Sequence, residues 1–116
     1  MMVRKASDAE VVITENMRGG MGSVNITHLA EKNELYDKSR LFAKMTIKPG
    51  CSIGYHVHEN EMEAYHIISG IGTYDDNGST VELYPGDTSI TPSGQGHGIV
   101  NNGSEDLVLI ALIVMQ

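Results

Sequence analysis

The stretch GCSIGYHVHENEMEAYHIISG, Gly50 to Gly70, decides how this chain is read. His56 and His58 stand two apart in a run of strand character, and the period-2 geometry of a strand puts both imidazoles on one face. The four residues ENEM that follow, 59–62, are polar or flexible and let the chain reverse. Glu63 then opens the run EAYHIISG, and an antiparallel neighbour would carry its carboxylate back beside the two imidazoles. Three ligand-type side chains are thereby expected to converge.

A second stretch, GDTSITPSGQGHGIVN from Gly86 to Asn101, adds His97 after a turn built on proline and glycine. Three imidazoles and a carboxylate form a mixed nitrogen and oxygen set suited to Mn, Fe, Co, Ni, Cu or Zn. A lone His-x-His pair is more often a polar strand face with ordinary surface histidines. The spacing of the two stretches together goes further.

Gly50, His56, His58, Glu63 and Gly70 fill the first cupin motif, a glycine, five residues, His-x-His, three or four residues, a glutamate, six residues and a glycine. Gly86, Pro92, Gly94, His97 and Asn101 fill the second, a glycine, five residues, Pro-x-Gly, two residues, a histidine, three residues and an asparagine. The chain therefore resembles a small single-domain cupin of the oxalate-decarboxylase-like type, with motif one at 50–70 and motif two at 86–101. The resemblance implies a small antiparallel jelly-roll β-barrel, also called a double-stranded β-helix. It also implies one divalent transition metal, manganese first, held by His56, His58, Glu63 and His97. Four protein ligands on a metal that prefers six leave two adjacent positions open, unlike the closed, thiolate-rich structural zinc sites. The reaction expected there is that of a metal-dependent enzyme on a small carboxylate, keto acid or sugar acid, oxalate-decarboxylase-like or isomerase-like. The alternative is a non-catalytic module that binds or senses a metal-chelated small molecule.

Outside the motifs, the chain reads as a run of short strands. The first 23 residues form an N-terminal arm with a brief apolar patch at Val11 to Ile13, ending in the glycine-rich RGGMG. SVNITHLA alternates, with Val24, Ile26 and His28 on one face. EKNELYDKS is the best helical or loop insertion, and RLFAKMTIKPG resumes the strands, with Leu41, Ala43, Met45 and Ile47 sharing a face. Asn77-Gly78 between alternating runs is a strong hairpin signal, because both turn residues must take positive φ. Short strands at regular spacing with almost no helix indicate an all-β fold, closed or sandwiched, spanning residues 1–116 as one domain.

Parity also nominates neighbours of the four ligands. Tyr65 and Ile67 share the face of Glu63 and should line the substrate side, as should His28, whereas His66 should face outward. Glu61 and Tyr55 flank the ligands and are the candidates for moving a proton. Leu107 to Val114 is apolar at both parities, so both faces of this last strand need cover; a homodimer is expected, the alternative being cover by the N-terminal segment of the same chain.

Composition bounds the partners. In 116 residues, 41% are hydrophobic and 20% charged, enough for one buried core. The net charge of −7 and the lack of a basic run disfavour nucleic acid and anionic membranes. A small anionic or polyhydroxy molecule is the expected ligand. Cys51 is the only cysteine, so no intrachain disulfide forms. The start MMVRKASDAEVVI lacks the apolar core of a signal peptide, and a cytoplasmic location is expected.

Overall fold

The computed structural model describes residues 2–116. Its strands are β1 Val11–Glu15, β2 Ser23–His28, β3 Leu41–Ile47, β4 Ser52–Val57 and β5 Glu61–Ser69, followed by β6 Gly72–Asp76, β7 Ser79–Leu83, β8 Thr88–Thr91, β9 Gly96–Val100 and β10 Leu107–Met115. Helix is confined, among the described residues, to short 3-10 turns at Ala6–Asp8, Met17–Gly19 and Lys32–Leu35. The best helical insertion in the sequence thus yields one tight turn. Its charged residues have no apolar stripe with which to dock a longer helix.

Two antiparallel sheets face each other, one in the order β1-β2-β3-β10-β5-β8 and the other β4-β9-β6-β7. The expected all-β jelly roll is the observed architecture. Alternation along the strands builds the interior. Val24 and Ile26 of β2, Ala43, Met45 and Ile47 of β3, Tyr65 and Ile67 of β5, and Leu107, Leu109 and Ala111 of β10 are all buried, and they meet Ile53, Tyr74 and Ile99 from the other sheet. The β6–β7 hairpin turns at Asn77 and Gly78 with φ of 49° and 101°, and Asp75 Oδ1 accepts the Gly78 amide at 2.7 Å. The sequence signal for this turn holds because Asn and Gly are among the few residues that take left-handed φ at little cost.

The N-terminal arm contributes a strand that the sequence showed only as a brief apolar patch. Val11 to Glu15 pair with β2, Val11 opposite Thr27 and Glu15 opposite Ser23, so the apolar patch is an edge strand. Five residues without alternation give no periodicity to detect; pairing with β2 decides their state. The RGGMG segment is tightly turned. It follows Asn16 at φ 50° and contains Arg18 at φ 54°, and it lies along the free edge of β4, where Met21 and Ser52 exchange hydrogen bonds of 2.8 and 2.9 Å. Gly54 permits this approach, since a side chain there would collide with the Arg18 carbonyl.

On β10 the odd residues Leu107 to Ile113 are buried between the sheets, while Val108, Ile110 and Leu112 are half-buried on the outer face. Ile68 and Ile90 on that same outer face are 50% and 58% exposed. The edge strand β1 lies three strands away from β10 in the sheet and leaves this apolar surface open. No helix among the described residues is long and apolar enough to cross a membrane.

Candidate metal centre

Two strands of the smaller sheet and one of the larger bring the four sequence-nominated ligands together. β4 pairs with β9 so that His56 stands opposite His97, and the register shifts between Ile53 and His56. That bulge keeps both Ile53 and His56 facing inward, Ile53 against the core and His56 toward the site. His58 follows just beyond the end of β4. Glu63 enters from β5 across the interior, flanked by Ile113 of β10 and Thr91 of β8. One ligand atom from each of His56, His58, Glu63 and His97 lies within 4.8 Å of the others.

Glu63 Oε1 is the hub of the cluster. It lies 2.8 Å from His97 Nε2, 3.0 Å from His58 Nε2 and 3.8 Å from His56 Nε2, and His58 Nε2 and His97 Nε2 are themselves 3.1 Å apart. Glu63, His58 and His97 are buried, and only His56 keeps a slight opening to solvent. Burial alone would push the Glu63 carboxyl up, but the surrounding imidazoles of His56, His58 and His97, in their protonated forms, outweigh it and hold it below the usual carboxylate range. The bond that protonated His58 donates to Glu63 raises it above the ordinary imidazole value against the effect of burial, and Glu61 adds to the rise. Burial lowers His97 in spite of Glu63.

The far nitrogens decide which way the lone pairs point. His56 Nδ1 meets the Gly54 carbonyl at 2.8 Å, and His58 Nδ1 meets Glu61 Oε2 at 2.7 Å. A carbonyl and an ionised carboxylate can only accept, so both Nδ1 atoms carry hydrogen and both neutral rings turn an Nε2 lone pair inward. His97 Nδ1 lies 2.7 Å from the Tyr74 hydroxyl and 2.9 Å from Thr91 Oγ1. Hydroxyls donate or accept, so His97 is free to present either tautomer. Tyr65 stacks on His97 at 4.7 Å with an interplanar angle of 24°, fixing the ring plane. Lone-pair nitrogens and an anionic oxygen crowded together in a dry pocket repel one another unless a proton or a cation lies among them. The donor set fits a divalent transition metal.

The remaining sequence candidates fall in different places. Tyr65 and Ile67 do face inward, each with 1% exposure, but Ile67 belongs to the hydrophobic core beyond Tyr65. His28 ends β2 on the inner face opposite Ala43 and is half-buried. His66 faces outward as parity requires and bonds Thr88 Oγ1 at 2.8 Å. Tyr55 is 49% exposed, lies over Gly96 and points its hydroxyl toward Asn77 Oδ1 at 3.5 Å, on the opposite side of β4 from His56. Strand alternation sends it outward. Both Glu61 oxygens are taken, by Arg40 Nε and Nη2 at 2.7 Å each and by His58 Nδ1. Chiefly through Arg40, its carboxyl is lowered to about 2, so it stands behind His58 as an anion and is a poor proton donor. Sequence reasoning missed Tyr74, Thr91 and Arg40 as partners of the ligands. Their roles depend on strands that are neighbours only in space.

A two-sheet antiparallel jelly roll with three imidazoles and a carboxylate converging defines a β-barrel whose buried donor group could hold one metal ion. The cupin domain model matches residues 43–114, and the chain belongs to the cupin family. It is 43% identical over 114 residues to the oxalate-binding protein of Thermotoga maritima, covering 98% of this chain and 94% of that protein. Among solved structures, a predicted oxalate decarboxylase from Thermotoga maritima superposes with a TM-score of 0.95 at 43% identity, over 99% of this chain and 100% of that one. KdgF from a Halomonas species shares the fold at a TM-score of 0.68 and 18% identity, over 90% of this chain and 86% of that one.

Proposed function

We propose that the chain holds one divalent transition metal, manganese first, through His56, His58, Glu63 and His97, and captures a small chelating carboxylate of the oxalate type on it. The observation that carries this reading is the inward convergence of the Nε2 atoms of His56, His58 and His97 on Glu63 Oε1, with every other ring nitrogen occupied. The bound metal would supply positive charge and adjacent open positions for a bidentate anion. The protein supplies the buried setting and the fixed rings. Support for oxalate as the ligand comes from the relative at 43% identity that is an oxalate-binding protein.

The balance between capture and turnover moves toward capture relative to the sequence reading. Decarboxylation needs a proton donor facing the bound acid. Glu61 is clamped by Arg40 and Tyr55 lies on the outer face, so neither candidate serves. Of the nominated residues on the inner wall, Tyr65 and His28 are titratable; burial beside Glu63 raises the Tyr65 hydroxyl and holds its proton, and turnover through His28 is the second reading. Calorimetric titration tests both. The manganese-loaded protein should bind oxalate, whereas His97→Ala should lose manganese and oxalate together while keeping its β-sheet circular dichroism. Full manganese occupancy in His97→Ala overturns the assignment. Release of carbon dioxide from oxalate, abolished in His28→Ala, would move the reading to an enzyme.

The outer face of β10 and its neighbours supports pairing with a second copy of the chain, which would cover Ile68, Ile90, Ile110 and Leu112. A two-fold axis buries the same apolar patch from both subunits.

A further inference from the structure

The Arg40–Glu61 pair does more than decorate the surface. Arg40 immediately precedes β3 and Glu61 opens β5, yet these strands are not neighbours, because β10 runs between them. The guanidinium reaches across the end of β10 and grips the carboxylate in a fork, Nε on Oε1 and Nη2 on Oε2, each at 2.7 Å. The oxygen Oε2 that receives Nη2 also receives His58 Nδ1. The end of β10 is tied to both sides of this bridge: the Met115 amide donates to the Lys38 carbonyl at 2.8 Å and the Gln116 amide to the Asn60 carbonyl at 3.0 Å. A continuous chain of contacts thus runs from a partly exposed arginine to a buried ring of the cluster.

The three imidazoles are held differently at their far nitrogens: His56 by a backbone carbonyl, His97 by two neutral hydroxyls, and His58 alone by a carboxylate. A carboxylate behind a ligating imidazole fixes its tautomer and strengthens its donor nitrogen, and loss of such a partner costs 10–100-fold in metal affinity. Arg40 is what keeps that carboxylate in place, since a bidentate fork allows one orientation where a single bond would allow several. From this geometry we infer that Arg40 and Glu61 form a latch that sets the metal affinity of the site through His58. They are positioning residues, with Glu61 the principal one and Arg40 acting through it. The inference rests on the metal reading proposed above.

Cobalt titration separates the two. In Glu61→Gln the amide keeps the shape and removes the charge, so Co2+ should bind about 10–100-fold more weakly. Its visible absorption bands should shift because the donor strength of one ligand has changed. Arg40→Gln should weaken Co2+ in the same direction by less, and Arg40→Lys should recover only part of the loss because an ammonium cannot reproduce the fork. Thermal melting of the metal-free variants checks that the fold persists; a Glu61→Gln protein that does not fold leaves Arg40→Gln to decide. Wild-type affinity and an unshifted spectrum in a folded Glu61→Gln, or in Arg40→Gln where that variant decides, overturn the latch. His97→Ala in the same titration tells the failures apart. Loss of Co2+ there with no change in the latch variants removes the latch alone, whereas wild-type binding by His97→Ala removes the metal site itself.

Discussion

At the scale of single residues, the centre is governed by what stands behind each ligand. Metal ligation requires neutral imidazoles, and His58 is the ring that holds a proton most tightly, through Glu63 first and Glu61 after it. Metal affinity should therefore begin to fall already above the ordinary histidine value and should be largely lost toward pH 5. Elemental analysis after dialysis across pH 5–8 measures this, and occupancy that ignores pH would count against histidine ligands. The metal-free protein behaves differently. Glu61 is lowered from 4.5 to about 2, so its contribution is present above pH 4.5 and disappears as pH falls toward 2. His58 is raised from 6.5, so its contribution is present below pH 6.5 and disappears as pH climbs through its folded value. From these groups, stability without metal should peak between pH 4.5 and 6.5, and urea midpoints measured with a chelator at pH 3, 5.5 and 8 should show the maximum in the middle.

Among the elements, β4 brings His56 to the site and has an edge that another segment protects. It is an outer strand of the smaller sheet, and the segment 16–22 covers that edge through Met21 and Ser52. The close contact depends on Gly54, whose carbonyl also orients His56. Gly54→Ala should push the segment away from the strand at a cost of about 1–3 kcal/mol, the usual range for forced overpacking. It should also weaken metal binding, because the same peptide holds His56. Urea unfolding and metal titration of this variant measure both effects, and a normal urea midpoint would show that the segment tolerates displacement. The segment was legible only as a turn, from its glycines. Its docking partner lies some thirty residues downstream, about as far as a sequence window never reaches.

For the whole molecule, the open question is what covers the outer face of the larger sheet. Ile110 and Leu112 of β10 sit between Lys44 and Phe42 of β3 and His66 and Ala64 of β5, an apolar stripe edged by basic side chains. An exposed apolar stripe of this kind is what a two-fold axis buries from both subunits at once, and a second copy is the cover proposed for it. Sedimentation should give a dimer for the native chain and a monomer for Leu112→Lys, with circular dichroism unchanged. A native monomer at all accessible concentrations would leave the face without this partner. The metal site does not lie on that surface, so Leu112→Lys should still bind manganese.

The primary structure alone carried the strand alternation and the Asn77-Gly78 hairpin through local periodicity, and through its resemblance to both cupin motifs it nominated the four side chains that converge. It also nominated Glu61 and Tyr55 by proximity in the chain, and only the tertiary structure placed them, one locked beneath Arg40 and the other turned to the outside of β4. Tyr74 and Thr91 behind His97, and Arg40 behind Glu61, come from β6, β8 and the approach to β3. Sheet closure alone brings those strands within hydrogen-bonding distance. A ligand's type is a property of its side chain, whereas its orientation, protonation and donor strength belong to whatever folding packs behind it.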